Sequence, residues 1–221
     1  MSSTHQVPRQ AGYTLVELLI YSSLLVLILT VVGGMLLNTI TSEDKVIASA
    51  DANAVSQLIA SSVHSGVRNA TKVQVTETTD TGDATENDNQ LLLVTSVSSD
   101  AAKTAAARVC QAWYYTGVNG GAMYYKRMTP PELVDGGTAV KPFDGVTADS
   151  LAGDVSGWTL LGSGLSDTDA DSQLIFIDLG SDNPSISLNF AINADGDSSP
   201  ALISTTVTSR QSTASDGTPC F

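Results

Sequence analysis

Between Leu15 and Leu37 the chain reads LVELLIYSSLLVLILTVVGGMLL, 23 residues with a single charge, Glu17. A helix of that length rises about 34 Å, enough to cross a hydrocarbon core of roughly 30 Å. The run is too long for a secretory signal, whose apolar region is about 7–15 residues and ends in a small-residue cleavage site. The segment is therefore expected to be a membrane-crossing helix. The twelve residues before Tyr13, MSSTHQVPRQAG, carry Arg9 and no acid, while Glu43 and Asp44 follow the run. That asymmetry puts the start in the cytoplasm and everything after about Ser42 outside it. It also explains how a chain with a net charge of -13 has a positive mean hydropathy of +0.10. The apolar residues are gathered at one end.

Glu17 is the anomaly in this run, because a carboxylate inside an apolar span costs roughly 2.5–3.5 kcal/mol on insertion scales and is usually kept for a partner. The blander account is an acid near a helix N-terminus, favoured by the macrodipole and close to the headgroups. The surrounding residues favour the partner. Gly12-Tyr13-Thr14-Leu15-Val16-Glu17-Leu18-Leu19-Ile20 closely resembles the processing and assembly signature of type IV prepilins and type II secretion pseudopilins. In that family a polar leader ends in Gly, an aromatic residue follows, and a Glu stands four positions further on before a long apolar helix.

The resemblance covers about the first 60 residues. It implies cleavage after Gly12 by a prepilin peptidase on the cytoplasmic side and N-methylation of the new amino terminus at Tyr13. It further implies that Glu17 meets the amino terminus of a neighbouring pilin or pseudopilin subunit in a filament raised by an inner-membrane assembly platform. Before assembly the helix would rest in lipid of the bacterial inner membrane. Tyr13 stands where Phe is usual. Many members carry a Pro near position 34, where the helix melts on assembly; here Gly33-Gly34 takes that place. Gly lowers helix propensity by about 1 kcal/mol per residue, which suits local melting, and small residues equally suit a close helix contact.

Past Thr41 the composition turns polar, yet Val46, Ile47, Ala50, Ala54, Leu58, Ile59 and Val63 recur near the helical period up to Gly66. This predicts an amphipathic continuation of the same helix. Strands are expected at Lys72–Thr76, Gln90–Val97, Arg108–Tyr115, Ala122–Met128, Trp158–Leu161, Leu174–Leu179, Ser185–Ile192 and Ile203–Thr208, between clusters of Gly, Asp, Asn and Ser. The expected organisation is a leader at 1–12, an assembly helix at 13–41, its amphipathic extension at 42–66 and a β-rich head at 67–221. The fold class is α+β, a long N-terminal helix packed on a mainly antiparallel sheet. Thr116–Gly121 tolerates positive φ, so Trp113-Tyr114-Tyr115 and Tyr124-Tyr125 should face each other across a hairpin. Cross-strand packing is the ordinary role of such aromatics; a sugar-binding platform is the sharper one. Asp80–Asn89 and Pro130–Gly157 lack a period and are expected to be surface loops.

Several function classes fall away. A strongly acidic chain with no basic cluster does not suit direct nucleic-acid binding, and the mature chain would hold nine Lys+Arg against 23 Asp+Glu. Two cysteines with only His5 and His64 beside them cannot build a zinc finger. His64 has no Ser, Cys or carboxylate motif around it, and no hydrolase or phosphate-binding signature occurs, so no enzyme is expected. In the oxidising compartment inferred for the head, Cys110 and Cys220 are expected to pair, the alternative being two buried thiols. No resident cofactor is required. Calcium is the one ion worth weighing, because Asp167, Asp169 and Asp171, and separately Asn193, Asp195 and Asp197, place alternate oxygen ligands in turns. Such turns also commonly do nothing but reverse the chain.

The expected function is a structural subunit, a minor pilin or minor pseudopilin, with its head outside the cytoplasm. The alternatives are a single-pass membrane-anchored binding protein and, behind it, an anchored hydrolase.

Overall fold

The computed structural model describes residues 14–78, 89–97, 108–129, 141–166, 168, 174–180, 183–193, 199–211 and 220–221. The chain divides into two compact units, Met1–Val46 and Ile47–Phe221. Helix α1, Leu15–Arg68, contributes to both. In the first unit every large apolar side chain from Leu15 to Ile40 is exposed, Leu25 to 58% and Ile28 to 49%. Among the described residues α1 is the one helix long and apolar enough to cross a membrane.

In the second unit the first five strands form an antiparallel meander in the order β1 (Ala70–Glu77), β2 (Gln90–Val97), β3 (Arg108–Thr116), β4 (Ala122–Met128) and β5 (Thr159–Ser163). A smaller antiparallel sheet is built around β8 (Ser185–Ile192), with β9 (Ala201–Thr208) on one side and β6 (Leu165–Ser166) and β7 (Phe176–Asp178) on the other. The α+β class with a long N-terminal helix and mainly antiparallel strands is thus the observed one. β2, β4 and β8 fall on their expected bounds. β6 was not expected, since a two-residue strand has no period to read.

Alternation along β2 and β3 builds two cores. Leu92, Val94 and Trp113 point to one face, where they meet Ile59, Val63 and Val67 of α1 together with Phe176, Ile186, Leu188 and Phe190 of the small sheet. Leu91, Leu93, Ala112 and Tyr114 point to the other, against Phe143, Ala148 and Leu151. Both faces are covered, so the middle of β2, Leu91–Val94, is apolar without alternation, as a strand buried on both sides tends to be. Buried Gln90 ties the two sheets together, its Oε1 accepting from the backbone N–H of Ile175 at 2.7 Å and of Phe176 at 2.9 Å.

Two expectations need correction. The apolar stripe of the lower helix is not one face. Ile59 and Val63 are buried, but Val46, Ile47, Ala50, Ala54 and Leu58 are exposed, and the buried row runs through Ala52, Ser56, Ile59, Val63, Gly66 and Val67. At 100° per residue Ile47, Ala54 and Leu58 lie more than a quarter-turn round the helix from Ile59, so the lower helix has two apolar stripes, one of them uncovered. Nor does Gly66 end the helix, which continues to Arg68. A Cβ on Gly66 would overlap the Trp113 ring, so glycine here is what lets the helix approach the sheet.

The second correction concerns 130–157, expected to be surface loop. Residues 130–140 lie outside the described residues, but 143–158 pack. Phe143, Ala148 and Leu151 are buried, and Thr147 caps the short helix α2, Ala148–Leu151, through a reciprocal hydrogen-bond pair with Ser150. Trp158 sits 6.3 Å, centroid to centroid, from both Tyr114 and Phe143.

Candidate functional site

The residues that begin α1 form a small hydrogen-bonded unit. Thr14 stands at the N-cap, its Oγ1 accepting from the Glu17 backbone N–H at 3.3 Å and its carbonyl from the Leu18 N–H at 3.2 Å. Thr14-x-x-Glu17 is the spacing of a capping box, and Glu17 occupies the position an acid favours near the positive end of the helix dipole. Its carboxylate accepts from the Tyr21 hydroxyl at 3.4 Å. One turn separates the two, the ordinary reach of an i, i+4 pair, so Tyr21 was recoverable from spacing as the intrachain partner of Glu17. One phenol occupies one lone pair of a group that can accept about four hydrogen bonds. Glu17 is half-buried and keeps acceptor capacity for a cation brought from outside the chain. Gly12 and Tyr13 lie outside the described residues.

The rest of the apolar run is closed to further polar chemistry. Ser22 Oγ donates to the Leu19 carbonyl at 3.0 Å, Ser23 Oγ to that of Ile20 at 2.8 Å, and Thr30 Oγ1 bonds to the carbonyls of Val26 and Leu27 at 2.8 and 2.9 Å. Hydroxyls that bond back to their own helix carry no donor into an apolar surrounding, which suits a segment facing lipid or other helices. Gly33 and Gly34 both remain helical, and no side chain comes within 4 Å of a Cβ placed on either. Glu17 is the one acidic or basic side chain carried by these 23 residues of apolar helix.

In the second unit Cys110 and Cys220 form the expected disulfide, with Cα atoms 5.4 Å apart. The backbone beside it is held too. Phe143 N–H donates to the Cys220 carbonyl at 2.9 Å and Lys141 Nζ to the Phe221 carbonyl at 3.1 Å, so the chain end and the 141–158 segment are fastened to the same face of β3.

The hairpin aromatics divide between the two cores. Trp113 and Tyr125 pack at 5.2 Å on the α1 side, where Trp113 Nε1 donates to Ser62 Oγ at 3.0 Å and Gln111 Nε2 to the Tyr125 hydroxyl at 2.8 Å. This pair is core packing. Tyr114 and Tyr124, 6.3 Å apart, lie on the opposite face and line a cleft of about 180 Å³ with Thr116 and Asn119 of the hairpin and Leu151 and Val155 of the 141–158 segment. Asn119 holds the left-handed conformation, φ 55° and ψ 35°, as expected of this turn.

Of the calcium candidates, Asp167, Asp169, Asp171, Asp195 and Asp197 lie outside the described residues. Asn193 is described, and its backbone N–H donates to the Gly164 carbonyl at 3.0 Å. Among the described residues no three His, Cys, Asp or Glu side chains gather as a metal site. His64 Nε2 is 3.2 Å from Thr205 Oγ1, a contact between α1 and β9.

No family model matches this chain, and neither a curated protein nor a solved structure matches it.

Proposed function

We propose that the protein is a pilin-like subunit, structural rather than catalytic, which is stored in the bacterial inner membrane by α1 and then assembles through that helix into a pilus or secretion-type pseudopilus. The observation that carries this reading is an N-capped helix whose large apolar side chains from Leu15 to Ile40 are all exposed and whose one carboxylate in that stretch, Glu17, sits in its first turn. Burial is worth roughly 1.5–3 kcal/mol per large apolar side chain, so a row of this length needs lipid or other helices around it. The uncovered stripe at Ile47, Ala50, Ala54 and Leu58 extends that need below the membrane span.

On this reading prepilin peptidase cuts after Gly12, Tyr13 becomes the methylated amino terminus, and Glu17 receives the Tyr13 amine of a neighbouring subunit. In a low-dielectric filament core that attraction is strong, and a carboxylate without its partner is costly. Retention of Glu17 suits a minor subunit in a priming or near-tip position, since the last cap has no neighbour above it to engage. The test is Glu17→Ala, which should leave membrane level and head unfolding unchanged while cutting incorporation into sheared filaments at least about tenfold, as the loss of a buried charge pair implies. Incorporation at the parental level would contradict it.

A further inference from the structure

Filament assembly through α1 makes no use of the cleft on the far face of the meander sheet, and this inference stands whether or not the filament reading does. The cleft is roomy enough for one ring, since a cavity of roughly 150 Å³ already holds benzene. Its lining is mixed. Leu151 and Val155 give an aliphatic wall, the half-buried ring of Tyr124 gives an aromatic one, Tyr114 borders the cleft, and Thr116 and Asn119 bring a hydroxyl and an amide.

None of these side chains is charged, and the chain's net charge of -13 repels anions. Asp149, near enough to act on the Tyr114 hydroxyl, sharpens that repulsion without lining the cleft. Tyr114 supplies a second observation. It is 1% exposed, yet its hydroxyl has no hydrogen-bond partner among the described residues. Thr116 lies beside it without completing a bond of good geometry, and desolvation keeps the phenol protonated, a neutral donor. A buried hydroxyl left in that state is uncommon in folded proteins. Two further lining residues suit substitution: Asn119 is held in a left-handed turn, and nothing lies within 4 Å of a Cβ built on Gly153.

We propose that this cleft binds a neutral pyranose ring, the apolar face of the sugar lying on Tyr124 and the aliphatic wall and its hydroxyls meeting Thr116, Asn119 and the edge of the cleft at the Tyr114 phenol. The ligand class follows from the lining. A purely apolar guest would strand the polar half, and a charged guest finds no counter-ion. A shallow, single-ring site implies weak binding, which display of several heads together would strengthen.

The experiment is saturation-transfer NMR on the full chain in an amine-oxide detergent, because glucoside and maltoside detergents carry the probe's own headgroup. The probes are methyl β-D-glucopyranoside, methyl β-D-galactopyranoside and methyl α-D-mannopyranoside, with cyclohexanol as a ring of similar size lacking most of the hydroxyls. Transfer to at least one pyranoside is expected, with its Kd raised at least about tenfold by Gly153→Leu, which puts an isobutyl group on the cleft lining, since an occluded pocket loses its apolar contacts. Asn119→Gly keeps the left-handed turn while removing the amide, and should weaken binding by a smaller factor; it decides the matter if Gly153→Leu does not fold. Three results would overturn the proposal: transfer to none of the pyranosides, pyranoside binding indifferent to both variants, or cyclohexanol bound in preference to all three sugars. The last would make the cleft a socket for an apolar side chain.

Discussion

The two stretches of α1, Leu15–Val46 and Ile47–Arg68, are both helical and both carry apolar residues on more than one side, yet only the second buries any of its large ones. Ile59, Val63 and Val67 are fully buried where strands supply a matching surface, while Leu25 and Ile28 remain about half exposed. The difference teaches that apolar content does not determine where a helix packs. A matching surface does: the buried row, with Ala52, Ser56 and Gly66 small enough to let the sheet approach, lies against strands, whereas Gly33-Gly34 in the first stretch has nothing set against it.

The sharpest way to break this comparison is to loosen the head alone. Replacing both Cys110 and Cys220 by Ser should cost the head about 2–5 kcal/mol, the usual loss for a native bridge closing a long loop. Thermal unfolding followed by far-ultraviolet circular dichroism should show the head melting earlier while the signal of the first helical stretch persists in detergent. Loss of both together would mean that the two stretches depend on one bridge.

A smaller effect compares like with like. Gly66→Val places methyl groups into the Trp113 ring and should destabilise the head by about 1–3 kcal/mol or more, the range for overpacking. Gly34→Val, in the same helix, should leave head unfolding unchanged, since no atom lies within 4 Å of its new Cβ. Equal effects in a denaturant titration would contradict the division. The smallest effect belongs to Tyr114. Burial raises its phenol pKa above the usual value of about 10, so the unfolded chain ionises first as pH rises. The stability tied to this group is present below about pH 10 and lost above it. Tyr114→Phe should remove that part of the alkaline loss and, by deleting an unsatisfied hydroxyl, leave the head at neutral pH as stable or up to about 1 kcal/mol more so. Unfolding midpoints at neutral and alkaline pH would check both.

Much of this architecture was legible in the residues, and the misses have physical causes. Runs such as Gln90–Val97 and Ser185–Ile192 announce strands because β-branched and large apolar residues fill them between turn formers. The lower helix was misread because hydrophobicity marks two stripes without saying which one a sheet will cover, and because Ser56 and Gly66, on the covered one, are not apolar signals. Phe143 and Leu151 were hidden in a segment without period, since a segment held by hydrogen bonds to Cys220 and Phe221 and by a four-residue helix needs no repeat. At the candidate site Glu17 stood out by charge alone. Tyr21, its hydrogen-bond partner, passed for one more apolar residue, although the i, i+4 spacing marks it. The cleft at Tyr114 could not be foreseen, because Leu151 and Val155 reach it from a part of the chain whose path no pattern specifies.

The claim that Glu17 and the exposed helix belong to a processed, assembling subunit is tested most directly by the intact mass of the protein extracted from membranes. The predicted chain begins at Tyr13, lacks residues 1–12 and carries one added methyl group. A chain still beginning at Met1, or one cut after Gly34 like a cleaved signal, would contradict it.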